Sequence, residues 1–78
     1  MINTKNNEYL KEFGAHLKKL RTKSGMSQEE LANNAEVSLP QITRIERGVI
    51  NPTICTVKAL ANGLGIKINV LFNFEDDI

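Results

Sequence analysis

Apolar residues recur at spacings of three and four from the first turns of the chain. Tyr9, Leu10, Phe13, Leu17 and Leu20 share one face, while Lys11, Lys18, Lys19 and Lys23 fall mostly elsewhere. That period predicts an amphipathic helix over residues 8–23. Gly25 stands where a helix-ending glycine belongs, and Lys18, Lys19, Arg21 and Lys23 suit the negative end of the helix dipole. Gly14 interrupts the pattern at a cost of about 1 kcal/mol relative to alanine, so a neighbouring backbone is expected to approach closely there. Ser27-Gln28-Glu29-Glu30 is a capping box opening a short helix to about Ala35. Ser38-Leu39-Pro40-Gln41 repeats the signature in its S-x-x-Q form. Pro40 is tolerable in a first turn, where its missing N–H has no intrahelical partner. Ile42 and Ile45 then face inward, and Gly48 ends the segment. After Asn51-Pro52, Thr53 is the expected N-cap of a fourth helix whose stripe is Ile54, Val57, Leu60, Ala61 and Leu64, closed by Gly63 and Gly65. Residues 66–74 are rich in β-branched side chains, but a lone strand in a helical chain has no partner, which favours a short fifth helix.

With 78 residues the chain makes a single domain, 1–78. A domain of this size buries only about 60% of the surface its unfolded chain exposes. Cys55 is the sole cysteine and His16 the sole histidine, so no disulfide forms within the chain and no tetrahedral zinc site can be filled. Neither a metal nor a cofactor is expected. His16 reads as a boundary surface residue and Cys55 as a small packed one. No stretch approaches the roughly 18 apolar residues of a membrane span, the amino end lacks the apolar run of a secretory signal, and a lone cysteine fits the cytoplasm. The ends, 1–7 and 75–78, are expected to be flexible. Residues 1–74 carry ten basic and six acidic side chains, a net +4, offset by Glu75, Asp76 and Asp77. This mild excess permits a polyanionic partner without requiring one. No phosphate-binding glycine loop, nucleophile elbow or zinc spacing occurs, so an enzyme is not expected.

Two short capped helices separated by about three residues describe a helix-turn-helix over residues 28–47, with the small Ala32 where the helices cross. Around it stand Phe-Gly-Ala-His-Leu-Lys-Lys-Leu-Arg, Gly-Met-Ser-Gln-Glu-Glu-Leu-Ala, Ile-Thr-Arg-Ile-Glu-Arg-Gly, Asn-Pro-Thr and Leu-Ala-Asn-Gly-Leu-Gly-Ile, in that order. Over about residues 13–72 the chain resembles the Cro/cI-type helix-turn-helix regulators, the XRE family with its lambda-repressor-like domain. The resemblance implies an all-α, compact five-helix fold, bacterial or phage-encoded, with double-stranded DNA as partner. On a helical projection with Ile42 inward, Pro40, Arg44 and Arg47 form the outer face of the third helix, with Thr43 and Gln41 at its edges and Ser38 and Leu39 at its amino end. The family's base-reading positions correspond to Leu39, Pro40, Thr43 and Arg44. Arg44 can bond guanine O6 and N7 together, and Leu39 and Pro40 can rest on thymine methyl groups. The resemblance gives Gln28 a phosphate contact, aided by the helix start; Arg47 and the backbone after Gly48 are further phosphate candidates. It also matches Arg21 and Glu46 to an ion pair joining the first and third helices. One departure stands in the turn: the family usually has glycine where this chain has Glu36, at a position that takes a left-handed backbone.

The last segment carries more apolar side chains than one core can absorb. Ile68, Val70, Phe72 and Phe74 are therefore expected at a homodimer interface, with Val70 and Phe74 as the exposed excess. A symmetric dimer would read a palindromic operator. The expected function is a sequence-specific transcriptional regulator with no separate sensor domain, such as a restriction–modification controller or a phage-type repressor. The rival expectation is an antitoxin-like or other protein-interaction module of the same fold.

Overall fold

The computed structural model describes residues 6–74. They form five helices, α1 (Asn7–Lys23), α2 (Gln28–Ala35), α3 (Leu39–Arg47), α4 (Ile54–Leu64) and α5 (Ile68–Leu71). Expectations for residues 1–5 and 75–78 lie outside the described residues. Residues 6 and 7, expected in a flexible end, belong to the start of α1. None of the described helices is long and apolar enough to cross a membrane.

Local chemistry sets each boundary. Asn6, Ser27, Ser38 and Thr53 each cap a helix by accepting a hydrogen bond from a backbone N–H three residues on. The Ser27 box is complete, since Glu30 accepts from the Ser27 backbone N–H at 2.8 Å. The box expected at Ser38 is only half formed: Ser38 Oγ accepts from the Gln41 N–H at 3.2 Å, but the Gln41 amide turns away to donate to Thr56 Oγ1 at 3.4 Å. Helices α1 to α4 end alike. Gly25, Glu36, Gly48 and Gly65 all take positive φ, and the residue after each returns an N–H to the carbonyl five positions back: Met26 to Arg21, Val37 to Ala32, Val49 to Arg44, Ile66 to Ala61. This is the Schellman motif. Its accompanying apolar residue packs on the core at Met26, Val37 and Ile66, whereas Val49 is exposed. Glu36, at φ 59° and ψ 39°, is the one side chain made to do what glycine does at the other three ends.

The core centres on Leu17, Leu31, Ile42, Ile45, Leu60 and Leu71, each fully buried. Two glycines bring backbones together. A methyl group at Gly14 would stand 2.3 Å from the Ile45 carbonyl oxygen, so α1 lies directly on the backbone of α3. Gly63 does not close α4 as expected. It lies inside the helix and faces Ala35, whose Cβ would be 2.8 Å from an added methyl, and only Gly65 caps the end.

Three expectations about side-chain placement are corrected. Ile54, assigned to the α4 stripe, is 84% exposed, because it stands on the first turn of α4 at the edge of an open groove. Cys55, expected to pack, is exposed on the same turn. Phe74, expected as exposed excess, is half-buried among rings of its own chain: Tyr9 at 5.3 Å, His16 at 5.4 Å and Phe13 at 6.2 Å between centroids. Phe72 likewise packs on Phe13 at 5.2 Å. Leu71 is the buried anchor of α5, and His16 adds a polar tie, its Nε2–H donating to the Val70 carbonyl at 2.8 Å.

Glu36→Gly should raise stability by about 0.5–1 kcal/mol, since glycine takes the left-handed backbone without the Cβ clash. An unchanged or lower melting temperature would contradict that account of the turn. Gly14→Ala should cost at least about 1–3 kcal/mol, because the obstructing atoms are backbone and cannot swing aside; denaturant unfolding measures it.

Candidate nucleic-acid interface

Helix α3 has one buried side and one open side. Ile42 and Ile45 fix the buried side. Leu39, Pro40, Arg44 and Arg47 are exposed, and Thr43 is half-buried at the edge. Thr43 Oγ1 donates to the Pro40 carbonyl at 2.9 Å, which commits its hydroxyl hydrogen within the helix. Ser38 is exposed at the amino end, its hydroxyl engaged as the helix cap. The open side therefore brings together Ser38, Leu39, Pro40, Thr43, Arg44 and Arg47. It does not include two other sequence candidates. The Gln41 side chain is half-buried and directed to α4 through Thr56. Gln28, the first residue of α2, donates its side-chain amide to Glu46 Oε1 at 2.9 Å. One amide hydrogen of Gln28 and the first backbone N–H groups of α2, which no helix satisfies internally, remain as donors beside the open side.

Arg21 and Glu46 meet as the resemblance implies. Arg21 Nε donates to Glu46 Oε2 at 2.6 Å and one terminal nitrogen donates to Oε1 at 3.0 Å. The other terminal nitrogen donates to the Met26 carbonyl at 2.7 Å. The side chains are only 8% and 3% exposed, so both charges are withdrawn from solvent and every polar atom has a partner. The hydrogen bonds to Glu46 push the Arg21 pKa above its usual value; burial opposes this and the nearby carboxylate charge reinforces it. Glu46 is the only acid on α3. With its charge neutralised inside, the helix presents only the positive charges of Arg44 and Arg47 outward. Neither arginine has an ion-pair partner among the described residues.

Sequence reasoning missed the Gln28–Glu46 link, which draws α2 into the same cluster. A glutamine opening a helix gives no local sign that its amide will be used inside. It also missed the open edge at Ile54. That residue lines an apolar groove of about 260 Å³ with Tyr9, Leu10, Asn51, Pro52 and Ile68 among its walls; a position on the first turn of its helix was the available signal. Of the expected interface residues, Ile68 is exposed, Val70 is half-buried, and Phe72 and Phe74 are engaged as described above. Among the described residues no cluster of three or more His, Cys, Asp or Glu could hold a metal ion.

The chain matches a family described as helix-turn-helix over residues 17–71. It is 33% identical over 63 residues to the control protein C.BamHI of Bacillus amyloliquefaciens, covering 80% of this chain and 78% of that protein. It is 32% identical over 62 residues to the immunity repressor of Bacillus phage phi105, covering 80% of this chain but 43% of the repressor. The chain also spans 43% of the length of the transcriptional regulator DdrOP3 of Deinococcus deserti, at 34% identity over 55 residues, or 70% of this chain. Its fold superposes on the restriction-modification controller protein C.AhdI of Aeromonas hydrophila with a TM-score of 0.79 at 36% identity, covering 81% of this chain and 96% of that one.

Glu46→Ala strands the Arg21 charge and unties three helices at one point, so it should cost about 3–5 kcal/mol. A loss below about 1 kcal/mol in denaturant unfolding would mean that the pair is solvated and holds nothing in place.

Proposed function

Because the chain belongs to the XRE-type helix-turn-helix family, we propose that it is a sequence-specific, double-stranded DNA-binding transcriptional regulator acting as a homodimer on a palindromic operator. The observation that carries this reading is the open side of α3, with Arg44 exposed, without an ion-pair partner among the described residues and directed away from the core. A helix fits the major groove, and an arginine there bonds guanine O6 and N7 together for about 1–3 kcal/mol of discrimination. Leu39, Pro40 and the Thr43 methyl suit thymine methyl groups. Ser38, the start of α2 at Gln28 and Arg47 stand at the margins and suit phosphate, which sets register without reading sequence. Gln41, held by α4, positions the amino end of α3 instead of reading a base. With one long donor at the centre, part of the specificity falls to DNA shape and deformability.

Dimerisation is assigned to the groove edge. Phe72 and Phe74 are engaged in their own chain, so the exposed pair Ile54 and Ile68, at 84% and 37% exposure, replaces them as the centre of the interface. Two copies would present their α3 helices about 34 Å apart, one turn of DNA. The likeness to C.BamHI and C.AhdI across most of their lengths supports a restriction–modification controller; the likeness to the phage immunity repressor supports a repressor. The same apolar groove supports a second reading, an antitoxin-like module whose partner is another protein.

Arg44→Ala should relax preference at one base pair per half-site, read as changed enrichment in selection from a random-sequence DNA pool, while Arg47→Ala should weaken all sequences alike. Indistinguishable effects would undo the division between base and phosphate contacts. The double variant Ile54→Glu, Ile68→Glu should sediment as a folded monomer where the parent chain is a dimer at tens of micromolar, an order of magnitude typical of weak association. Equal sedimentation of the two as dimers would remove Ile54 and Ile68 from the interface.

A further inference from the structure

Helix α1 meets α3 along one stripe. Lys11 touches the end of α3, since an added methyl at Gly48 would lie 2.6 Å from the Lys11 Cα and 2.8 Å from its Cγ. Gly14 touches the backbone of Ile45 and Glu46, and Arg21 reaches Glu46. At about 100° per residue, Lys18 falls on the helical projection between Lys11 and the pair Gly14 and Arg21. Lys11 and Lys18 thus border α3 along the length of the contact. Both are exposed, and neither takes part in an ion pair among the described residues. Lys19 and Glu12 lie on a different side of α1, around a hollow shared with Ala15, His16 and Phe74. Glu46, the acid that α3 turns toward this stripe, is already neutralised by Arg21, and Glu8, exposed one turn before Lys11, forms no ion pair among the described residues.

We infer that Lys11 and Lys18 form a phosphate-binding rail on α1, gripping the DNA backbone along one wall of the groove that α3 enters. The inference rests on the DNA-binding reading above and extends it to a second helix. The close approach at Gly14 makes it possible, because it sets α1 so near α3 that residues flanking that point reach the strand beside the recognition helix. A lysine ammonium on a flexible stem suits this work, being a point charge that follows phosphates without requiring a fixed geometry. Its contribution is therefore independent of sequence and released by salt.

The test compares three single variants of the full chain, Lys11→Ala, Lys18→Ala and Lys19→Ala, which remove the same charge from the same helix. Exposed lysine-to-alanine changes in a helix do not weaken it, and melting curves confirm equal folding. Affinity for a random-sequence duplex and for a selected site is measured against salt concentration. Removing one lysine–phosphate interaction flattens the slope of log K against log salt by about 0.9, hence about 1.8 for a dimer. Lys11→Ala and Lys18→Ala are expected to show this on both duplexes, with Lys19→Ala following the parent chain. A steep slope in the parent chain that is altered no more by the first two changes than by the third would overturn the rail and leave the DNA reading standing. A parent chain with no salt slope at all would overturn the DNA reading, and the rail with it.

Discussion

The bidentate pair between Arg21 and Glu46 determines where the open side of α3 points. It joins α1 to α3, accepts Gln28 from the start of α2 and, through the Met26 carbonyl, holds the loop between α1 and α2. Three helices and a loop meet on a single carboxylate and guanidinium with little contact with water. A buried pair of this kind contributes little net stability compared with apolar packing of similar shape, but breaking one partner is costly. Its contribution is geometric: α3 cannot rotate about its axis without separating two desolvated charges, so Arg44 and Arg47 keep their outward direction.

Backbone geometry does the rest of the positioning. The Gly14 contact removes the space that a side chain would keep between α1 and α3, and the Gly63–Ala35 contact does the same between α2 and α4. Between α2 and α3 the left-handed residue reverses the chain so that Ser38 can cap the next helix at once. Glu36 keeps this turn although it lacks the freedom of glycine. The Val37 N–H bond to Ala32 and the packing of Val37 on the core compensate locally.

Much of this was legible in the sequence because short-range chemistry specifies it. The Ser27 box, the Thr53 cap, Gly25, Gly48 and Gly65 mark helix boundaries through bonds that close within five residues, and Gly14 announced its close contact by its cost inside a helix. What was not legible depends on distant neighbours. Ile54 continues an apolar stripe in sequence, yet its turn stands at the edge of an open groove that α1 and α5 do not close over it. Gln41 completes a capping signature in sequence, yet Thr56 competes for its amide. Phe74 looks surplus in a count of apolar residues, yet Tyr9, Phe13 and His16 accept it. In the candidate site, Arg44 and Arg47 followed from helical phase alone, whereas Gln28 required knowledge of where Glu46 lies.

The described surface therefore divides by chemistry: a positive face along α3 and the adjoining stripe of α1, and an apolar groove edged by Ile54 and Ile68. DNA is the proposed partner of the first and a protein that of the second. Backbone amide resonances followed during titration with a selected DNA duplex separate these most directly. Shifts concentrated from Ser38 to Arg47 and at the first turn of α2 are the predicted result. Shifts confined to Tyr9, Ile54 and Ile68 and their neighbours, with α3 unmoved, would contradict it.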